Sequence, residues 1–433
     1  MRGRYNKRLA LSSDSKINFI LRALRYRNYR LFFCGQIVSL IGTWMTTAAT
    51  SWLVYRLTGS ALLLGIVGFA GQIPSLIFLP LAGMLVDRYD KHRLLVITQT
   101  LSMLQSFALA ALTLSNQITI PWLLALCGFQ GFVNAFDMPC RQAFVVEMIE
   151  KREDLGNAIA LNSSMFNAAR ILGPAIGGIL IAAVGEGWCF LLDGVSYLAV
   201  MGALMAMRIQ KKSVLRRPAR NPMEELKEGI KYSIQSKPIR YLIGLIALSS
   251  LLGVPYMVLM PVFAGTVLNG GPRTLGYLMA SAGAGALTGA LWLAARKTVL
   301  GLSRVVPIAA SAFGLGLVLF SFSRTLWVSM LCLLLAACGF MIQMAASNTI
   351  LQTIVDDDKR GRVMSFFIMA FAGTTPFGSL LTGFLSQKIG VSHTLLISGL
   401  FCVGGALWFQ RKLPEIRKGI RPIYKTLGIL PPE

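Results

Sequence analysis

Four charged side chains interrupt stretches of this sequence that are otherwise apolar, and their chemical types could support proton transfer. They are Asp137, Arg141, Arg170 and Asp193. A charge in such a stretch is costly, so it usually faces a partner or a water-filled cavity. Burial favours the neutral form of a carboxylic acid, and a nearby arginine favours its charged form. A buried carboxyl group beside arginines could therefore bind and release a proton.

Two arrangements of these groups are consistent with the sequence. In the first, protonation of either aspartate competes with its pairing to either arginine, and a proton gradient supplies the energy. We rank Asp137 first among the aspartates and Arg170 first among its partners. In the second, Asp137 and Arg141 form an ion pair four residues apart on one helix, which only stabilises the end of that helix.

Other kinds of site have little support in the sequence. It contains no Walker phosphate loop, no catalytic triad and no zinc motif. The seven cysteines show no paired close spacing, which argues against a disulfide framework or a metal site. We therefore expect no enzyme activity, no metal ion and no other cofactor.

The composition indicates the environment in which these charges lie. Of the 433 residues, 55% are hydrophobic and 14% are charged, whereas soluble domains carry about 25% charged residues. A helix needs about 20 apolar residues to cross a bilayer, and twelve runs are long enough. They are residues 31–55, 61–85, 94–114, 120–144, 156–184, 188–207, 239–263, 274–295, 304–322, 326–349, 364–387 and 393–410. The sequence therefore predicts an all-α polytopic membrane protein with twelve transmembrane helices.

The basic residues are distributed unevenly between the gaps that separate these runs. The net charge is +24, but 37 of the 42 lysines and arginines fall in alternate gaps and in the two terminal segments. Such alternation sets membrane topology, with the basic side in the cytoplasm. We therefore expect a multi-pass protein of a bacterial plasma membrane with both termini cytoplasmic, and no nucleic-acid partner.

A hydrophilic stretch divides the runs into two groups of six. Three short matches share an offset of 211 residues: Leu64-Gly65 with Leu275-Gly276, Cys127 to Phe129 with Cys338 to Phe340, and Arg93 with Arg304. Such a repeat suggests two related halves. The predicted parts are a segment 1–30, a half 31–207, a linker 208–238, a half 239–410 and a cytoplasmic tail 411–433. The first segment is either an amphipathic interfacial helix or a basic tail that only sets topology.

The chain resembles transporters of the major facilitator superfamily over nearly its whole length. Within that superfamily, its first half is most similar to drug and siderophore exporters, which include macrolide-efflux and enterobactin-export proteins. Residues 28–32 (Asn-Tyr-Arg-Leu-Phe), Gly35 with Gln36, Trp44, and residues 57–60 (Leu-Thr-Gly-Ser) carry this likeness. The resemblance implies two six-helix halves with a substrate site between them near the middle of the membrane.

The loop after the second run resembles the superfamily's cytoplasmic gate. The matching positions, together with the partners that the resemblance implies, are Gly83, Asp87, Arg88, Lys91, Arg93, Glu147 and Arg362. Gly83 would allow close approach of two helices, Asp87 would meet the eleventh helix near Arg362, and Lys91 or Arg93 would meet Glu147. Asp90 replaces a glycine that is common in the family pattern. The alternative is a basic loop that only sets topology.

The fifth run contains a second family motif. Gly173, Pro174, Gly177 and Gly178 match the core of a motif associated with antiporters. Ala160 and Ala169 stand where that motif prefers glycine, so the match is partial. It favours export over uptake, and its structural alternative is close helix packing alone.

Polar stripes on the first, fourth and tenth predicted helices indicate a substrate cavity, because the resemblance implies that helices one, four, seven and ten line it. The candidate residues are Gln36, Thr43, Trp44, Thr47, Gln130, Asn134, Met341, Met344, Asn348 and Gln352. Methionine offers an adaptable apolar surface for a ligand. Hydrogen bonds between helices, without substrate contact, are the alternative reason for each polar residue in the set.

These observations together predict a secondary active transporter, which acts as a monomer in the lipid bilayer. Its preferred function is proton-coupled export of a small amphiphilic or hydrophobic compound, a drug or a siderophore, by alternating access. The alternatives are a facilitator or importer of a lipid or nutrient, and a membrane receptor or scaffold that transports nothing.

Overall fold

The structure is a computed structural model that describes residues 21–208, 231–296 and 298–429, except for the side chains of Pro80, Asp87, Asp357 and Asp358. These residues contain twelve helices that are long and apolar enough to cross a membrane. The first six are α1 Arg27–Thr58, α2 Ala61–Arg88, α3 Lys91–Leu114, α4 Ile120–Glu147, α5 Arg152–Val184 and α6 Glu186–Ala206. The others are α7 Lys237–Val267, α8 Pro272–Ala294, α9 Leu302–Phe322, α10 Leu326–Ile354, α11 Asp357–Ala372 with Thr375–Ile389, and α12 Val391–Thr426.

Each predicted apolar run corresponds to one of these helices, so the predicted fold class is confirmed. The largest difference is at the end of the chain, where α12 continues to Thr426 through the predicted tail 411–433. Ile416, Ile420 and Tyr424 are buried on one face of this extension and join the core of the second half. Their spacing of four residues fits one side of a helix, which explains why the helix continues beyond the predicted apolar run.

The described end of the segment before α1 is a short turn that contacts α5. Residues 1–20 of the predicted segment 1–30 lie outside the described residues. A 3₁₀ turn at Arg22–Arg25 precedes α1, and both arginines pair with Asp154 in the first turn of α5. The Tyr26 hydroxyl donates to the same carboxylate over 2.6 Å. This part of the segment therefore packs against α5, and the form of residues 1–20 stays a prediction. Most of the predicted linker, 208–238, also lies outside the described residues.

Helices pair in the same way in both halves. In the first half, α1 packs on α6, α2 on α4, and α3 on both α4 and α6. The corresponding pairs in the second half are α7 with α12, α8 with α10, and α9 with α10 and α12. The two halves meet mainly where α2 crosses α11 and where α5 crosses α8. This arrangement is the architecture expected from a duplicated six-helix unit.

Each of the two crossings between the halves is formed by a pair of glycines. A Cβ atom added to Gly65 would lie 2.4 Å from the Ser379 carbonyl oxygen, and one added to Gly383 would lie 2.8 Å from that of Ala61. At the other crossing, the added atom at Gly276 would lie 2.6 Å from the Pro174 oxygen, and at Gly178 it would lie 2.6 Å from the Pro272 oxygen. Only glycine allows the helix backbones to approach this closely.

Both glycine crossings lie on the same side of the protein. We call the end of the bundle where α1 begins and α12 ends the terminal face. Gly65 and Gly276 are the fifth residues of α2 and α8, which begin at the opposite face. A hydrogen bond of 3.1 Å between Ser60 and Gln387 also joins the halves there. The structure is therefore closed at the face away from the termini.

We expect the substitution Gly276→Val to weaken this closure. The backbone carbonyl of Pro174 cannot move away cheaply, and overpacking costs about 1–3 kcal/mol, equivalent to about a 5–150-fold change in a two-state equilibrium. Spin labels at Leu57 and Arg273, with the exposed Cys34 replaced by serine, should show a longer distance between the halves. Gly202→Val is the control because an added Cβ at Gly202 meets no atom within 4 Å. An unchanged distance distribution in Gly276→Val would contradict the assignment.

Candidate functional site

Asp137 lies in a polar pocket between α3 and α4 and is 2% exposed. Its Oδ1 atom accepts hydrogen bonds from Thr98 Oγ1 at 2.9 Å and from Gln99 Nε2 at 2.7 Å. Its Oδ2 atom pairs with the Arg141 guanidinium, four residues along the same helix. All three partners stabilise the charged carboxylate. The prediction that Arg170 is the leading partner of Asp137 is therefore wrong in this conformation, because Arg141 is in reach on the same helix face.

Arg170 lies at the interface between the halves instead. A Cβ atom added to Gly283 of α8 would lie 3.1 Å from the Arg170 carbonyl oxygen, so the two helix backbones are in close contact here. The Nε atom of Arg170 is buried and has no hydrogen-bond partner among the described residues. Its electrostatic neighbour is the phenol of Tyr256 on α7. Arg170 is thus a cation of the first half that faces the second.

Asp193 lies between α1, α3 and α6 and is 1% exposed. Thr46 and Ser106 each donate a hydrogen bond of 2.9 Å to its Oδ2 atom. Its Oδ1 atom is buried and has no partner among the described residues. No salt bridge within the described part of the chain includes this carboxyl group. Asp193 therefore differs from Asp137, because its surroundings offer hydroxyl groups but no compensating charge.

The structure brings together part of the predicted gate. Lys91 Nζ lies 2.7 Å from Glu147 Oε1, so lysine rather than Arg93 makes this contact. Asp90 is the N-cap of α3 and accepts a hydrogen bond of 3.1 Å from the Arg93 backbone, which explains how the loop turns without the family's glycine. The Asp87 side chain lies outside the described residues, so its pairing with Arg362 stays a prediction.

Two other gate residues also have defined positions. A Cβ atom added to Gly83 would meet no atom within 4 Å, so the close helix approach expected there is absent in this conformation. The physical reason is that the halves are in contact at the opposite face. Arg88, the last residue of α2, is exposed at the terminal face.

The antiporter-like motif packs α5 against two helices at once. A Cβ atom added to Gly173 would lie 2.5 Å from Trp44 Cβ, and one added to Gly177 would lie 3.0 Å from Met45 Cγ, both on α1. Gly178 and the Pro174 carbonyl instead face Gly276 on α8. The motif is therefore the contact that connects the interior of the first half to the crossing with the second.

The predicted cavity residues of the first half do not share one environment. Thr47 is exposed, and Trp44 makes an edge-to-face contact with Phe166 at 5.6 Å between ring centroids. Thr43 is partly buried and hydrogen-bonds to the Ser39 carbonyl at 3.0 Å. Gln36 is 1% exposed, so its prediction as a cavity residue is wrong in this conformation. Its amide Nε2 atom is buried and has no hydrogen-bond partner among the described residues.

The polar residues predicted on α4 and α10 form similar pairs. Gln130 Nε2 donates to Asn134 Oδ1 over 3.1 Å, and Gln352 Nε2 donates to Asn348 Oδ1 over the same distance. The methionines predicted beside the second pair, Met341 and Met344, are partly buried. Both pairs are hydrogen bonds within one helix, and at the offset of 211 residues Asn348 and Gln352 correspond to Asp137 and Arg141 rather than to Gln130 and Asn134.

Several residues of the site were not predicted from the sequence. They are the side chains that hold the two carboxyl groups and a buried amide–hydroxyl pair between α7 and α10: Thr46, Thr98, Gln99, Ser106, Ser249 and Gln343. The last pair is joined by a bond of 2.9 Å. Isolated hydroxyl and amide residues are common in membrane helices, where they bond across helices. The one sequence feature that could have identified any of these residues is that Gln99 and Gln343 are large polar residues within apolar runs.

The fold and the buried charges define a membrane transporter of the major facilitator type, as the resemblance predicts. The chain belongs to the transmembrane secretion effector family, whose profile matches residues 20–424. It is 26% identical over 400 residues to a staphyloferrin A transporter of Staphylococcus aureus, covering 90% of this chain and 99% of that protein. It is 26% identical over 411 residues to the multidrug efflux pump Tap of Mycolicibacterium fortuitum, covering 90% and 98%. The macrolide efflux protein A of Streptococcus pyogenes is 25% identical over 410 residues, covering 91% and 98%.

Solved structures show the same fold. One is a bacterial homologue of the human lysosomal transporter Spinster in an inward-facing, unoccupied conformation, with a TM-score of 0.70 and 14% identity over 91% of this chain and 98% of that one. Another is the nucleoside transporter NupG, with a TM-score of 0.66 and 16% identity over 90% and 98%. At this identity the likeness concerns the fold alone.

We expect the Asp137–Arg141 pair to show strong thermodynamic coupling. Arg141→Leu leaves a buried carboxylate without its cation and should lower the free energy of unfolding by about 3 kcal/mol. Asp137→Asn should cost less, because Arg141 is 21% exposed and can reach water. The double variant should recover much of the loss, as measured by thermal unfolding in detergent and a double-mutant cycle. Arg30→Leu at an exposed position is the control. Additive effects of the two single changes would show that the pair is energetically unimportant.

Proposed function

We propose that the protein is a proton-coupled exporter of a small amphiphilic compound, a drug or a siderophore, and that it works by alternating access. The observation that carries the proposal is the likeness over about nine-tenths of the chain to relatives named for siderophore transport, multidrug efflux and macrolide efflux. The partial antiporter-like motif on α5 supports the outward direction. The buried carboxyl groups of the first half supply groups that could carry a proton.

The proposed orientation places the terminal face in the cytoplasm. The support is the charge pattern, since 37 of the 42 basic residues fall in segments on that side. With this orientation, the two glycine crossings close the protein towards the outside. Substrate would then enter from the cytoplasm, and opening of the crossings would release it outside. The contact between Lys91 and Glu147 lies within the first half, so it can persist while the halves move relative to each other.

Asp193 is the better candidate for the coupling proton, although the sequence ranked Asp137 first. A buried charge without a partner is expensive, and such a group is neutralised instead. The Asp137 carboxylate has a cation and two hydrogen-bond donors, whereas the Asp193 carboxylate has two hydroxyl donors on Oδ2, and among the described residues it has no cation and no partner for Oδ1. Loss of a proton from Asp193 would therefore force its surroundings to rearrange. One of its two donors is Thr46 of α1, next to the exposed Thr47.

Transport in inverted membrane vesicles tests the coupling. A radiolabelled macrolide and staphyloferrin A, the two kinds of compound named for the relatives, are supplied outside the vesicles, and the interior is made acidic. The proposal predicts that the gradient accelerates uptake of one of them and that a protonophore abolishes this acceleration. Uptake at a rate that changes neither with the gradient nor with the protonophore would contradict proton antiport. Uptake driven only by the opposite gradient would reverse the proposed direction.

Two substitutions distinguish the candidate carboxyl groups. Asp193→Asn should remove the dependence of uptake on the gradient, because the amide keeps the hydrogen-bonding shape but cannot ionise. Asp137→Asn should slow transport through lost packing while the dependence remains. Glu186→Gln is the matched control, since Glu186 pairs with Arg56 at the face opposite the termini. If Asp137→Asn alone removed the gradient dependence, the assignment to Asp193 would be wrong.

A further inference from the structure

The surface of α7 carries a groove system that transport of a central substrate does not require. We propose that it binds one anionic phospholipid from the leaflet on the terminal side, with the phosphate at Arg240 and the two acyl chains in two grooves that meet at Gly244. This site lies on the outside of the second half, apart from the carboxyl groups of the first half. The proposal does not depend on which compound the protein exports.

Two apolar grooves have one described wall residue in common, Gly244. The first, of about 580 Å³, runs between α7 and α12 and includes Leu248, Phe401 and Trp408. The second, of about 610 Å³, runs between α7 and α11 and includes Arg240, Met369 and Phe377, with Leu76 of α2 at its end. Each volume lies in the range of small-molecule sites, about 300–1,000 Å³. A molecule with one head and two apolar chains matches a forked groove of this kind.

Glycines leave the junction of the two grooves open. A Cβ atom added to Gly244 or to Gly404 of α12 would meet no atom within 4 Å. Both glycines therefore border empty space, unlike Gly405, where the added atom would lie 2.2 Å from Leu248 Cδ2. The side chains of Phe377, Phe401 and Trp408 around this space are each more than two-fifths exposed. Exposed aromatic walls beside glycines form a surface that an acyl chain can fill.

The grooves have the depth of one bilayer leaflet. Arg240, Gly244 and Leu248 lie four residues apart on one face of α7, so the stripe is about 12 Å long at 1.5 Å per residue. Half of the hydrocarbon core is about 15 Å thick. Arg240 is in the first turn of α7, at the terminal end, and Tyr241 beside it contacts Trp408 at 5.3 Å between ring centroids. An aromatic pair at this level is typical of the membrane–water interface.

The charge at the rim selects an anionic head group. Glu415 of α12 is the acidic partner of two neighbouring lysines, at 3.6 Å from Lys237 and 3.0 Å from Lys412. Arg240 is exposed, and in the described part of the chain it contacts the Tyr241 ring but makes no ion pair. The wall residue Ser233 adds a buried hydroxyl oxygen without a partner among the described residues. An arginine and a hydroxyl group are both suitable donors to a phosphate.

Lipid binding to the purified full-length chain tests the proposal. After removal of native lipid, native mass spectrometry measures titrations with phosphatidylglycerol and with phosphatidylcholine of equal chain length. We expect one phosphatidylglycerol to bind about tenfold more tightly than phosphatidylcholine, because a charged hydrogen bond supplies the difference. Arg240→Gln should abolish this preference. Equal binding of the two lipids to the unaltered chain would overturn the proposal.

Two groove-filling variants test the position of the chains. Gly244→Leu should remove the tight phosphatidylglycerol complex, because the new side chain fills the junction of the grooves without meeting protein atoms. Gly404→Leu should weaken it by filling one groove, and it serves as the test if the first variant does not fold. Gly202→Leu, at a glycine with equally open surroundings, is the matched control and should bind as the unaltered chain does. Unchanged binding in the groove variants would place the lipid elsewhere.

A water-soluble competitor separates a lipid site from a phosphate site. Glycerol phosphate carries the head-group charge without the chains, and the proposal predicts that it does not displace the lipid at comparable concentration. Displacement at the concentration at which the lipid itself binds would show that Arg240 holds free phosphate and that the grooves contribute nothing.

Discussion

The two glycine crossings are the contacts on which the present arrangement of the halves depends. Lipid tails are as apolar as helix surfaces, so helices in a membrane associate through close packing rather than through a hydrophobic driving force. Helix backbones approach each other closely at two glycine pairs, Gly65 with Gly383 and Gly178 with Gly276. No larger residue would allow this approach. Because the two crossings have equivalent geometry, the halves are held evenly on both sides of the interface. A contact made of packing alone can also separate without breaking an ion pair.

The halves differ in the polar groups that they bury. The first contains the carboxyl groups of Asp137 and Asp193, while the second buries the neutral pair of Gln343 and Ser249. The second half is instead irregular in its backbone, since α7 includes π-helical turns at Ser249–Gly253 and Phe263–Val267. Such turns often occur at functional sites. Between them lies Tyr256, the neighbour of Arg170, so the charge of the first half faces the distorted helix of the second.

The sequence allowed prediction of the spans and the architecture, because hydropathy and charge alternation are properties of whole segments. Contacts between particular side chains depend on how each helix is rotated and tilted, and a nearly uniform apolar helix gives little information about either. Helix rotation therefore explains two predictions that are wrong in this conformation. They are the assignment of the buried Gln36 to the cavity and the pairing of Arg170 with Asp137. The pairing of Asp137 with Arg141, four residues along the same helix, follows from helix geometry alone. Of the two arrangements predicted for Asp137, this ion pair is the one that the structure contains. The capping role of Asp90 likewise depends on the residue at which α3 begins, which hydropathy does not define.

One turn of α1 connects the proposed proton site to the contact between the halves. On one side of this turn, Gly42 leaves room for Asp193, since an added Cβ would lie 2.5 Å from its Oδ1 atom. On the other side, Trp44 and Met45 pack against Gly173 and Gly177 of α5, and the next residue of α5, Gly178, forms the crossing with α8. Packed interiors transmit small displacements because they contain few voids. A change at Asp193 that moves α1 must therefore be accommodated by α5, whose crossing with the second half leaves no room for a residue larger than glycine.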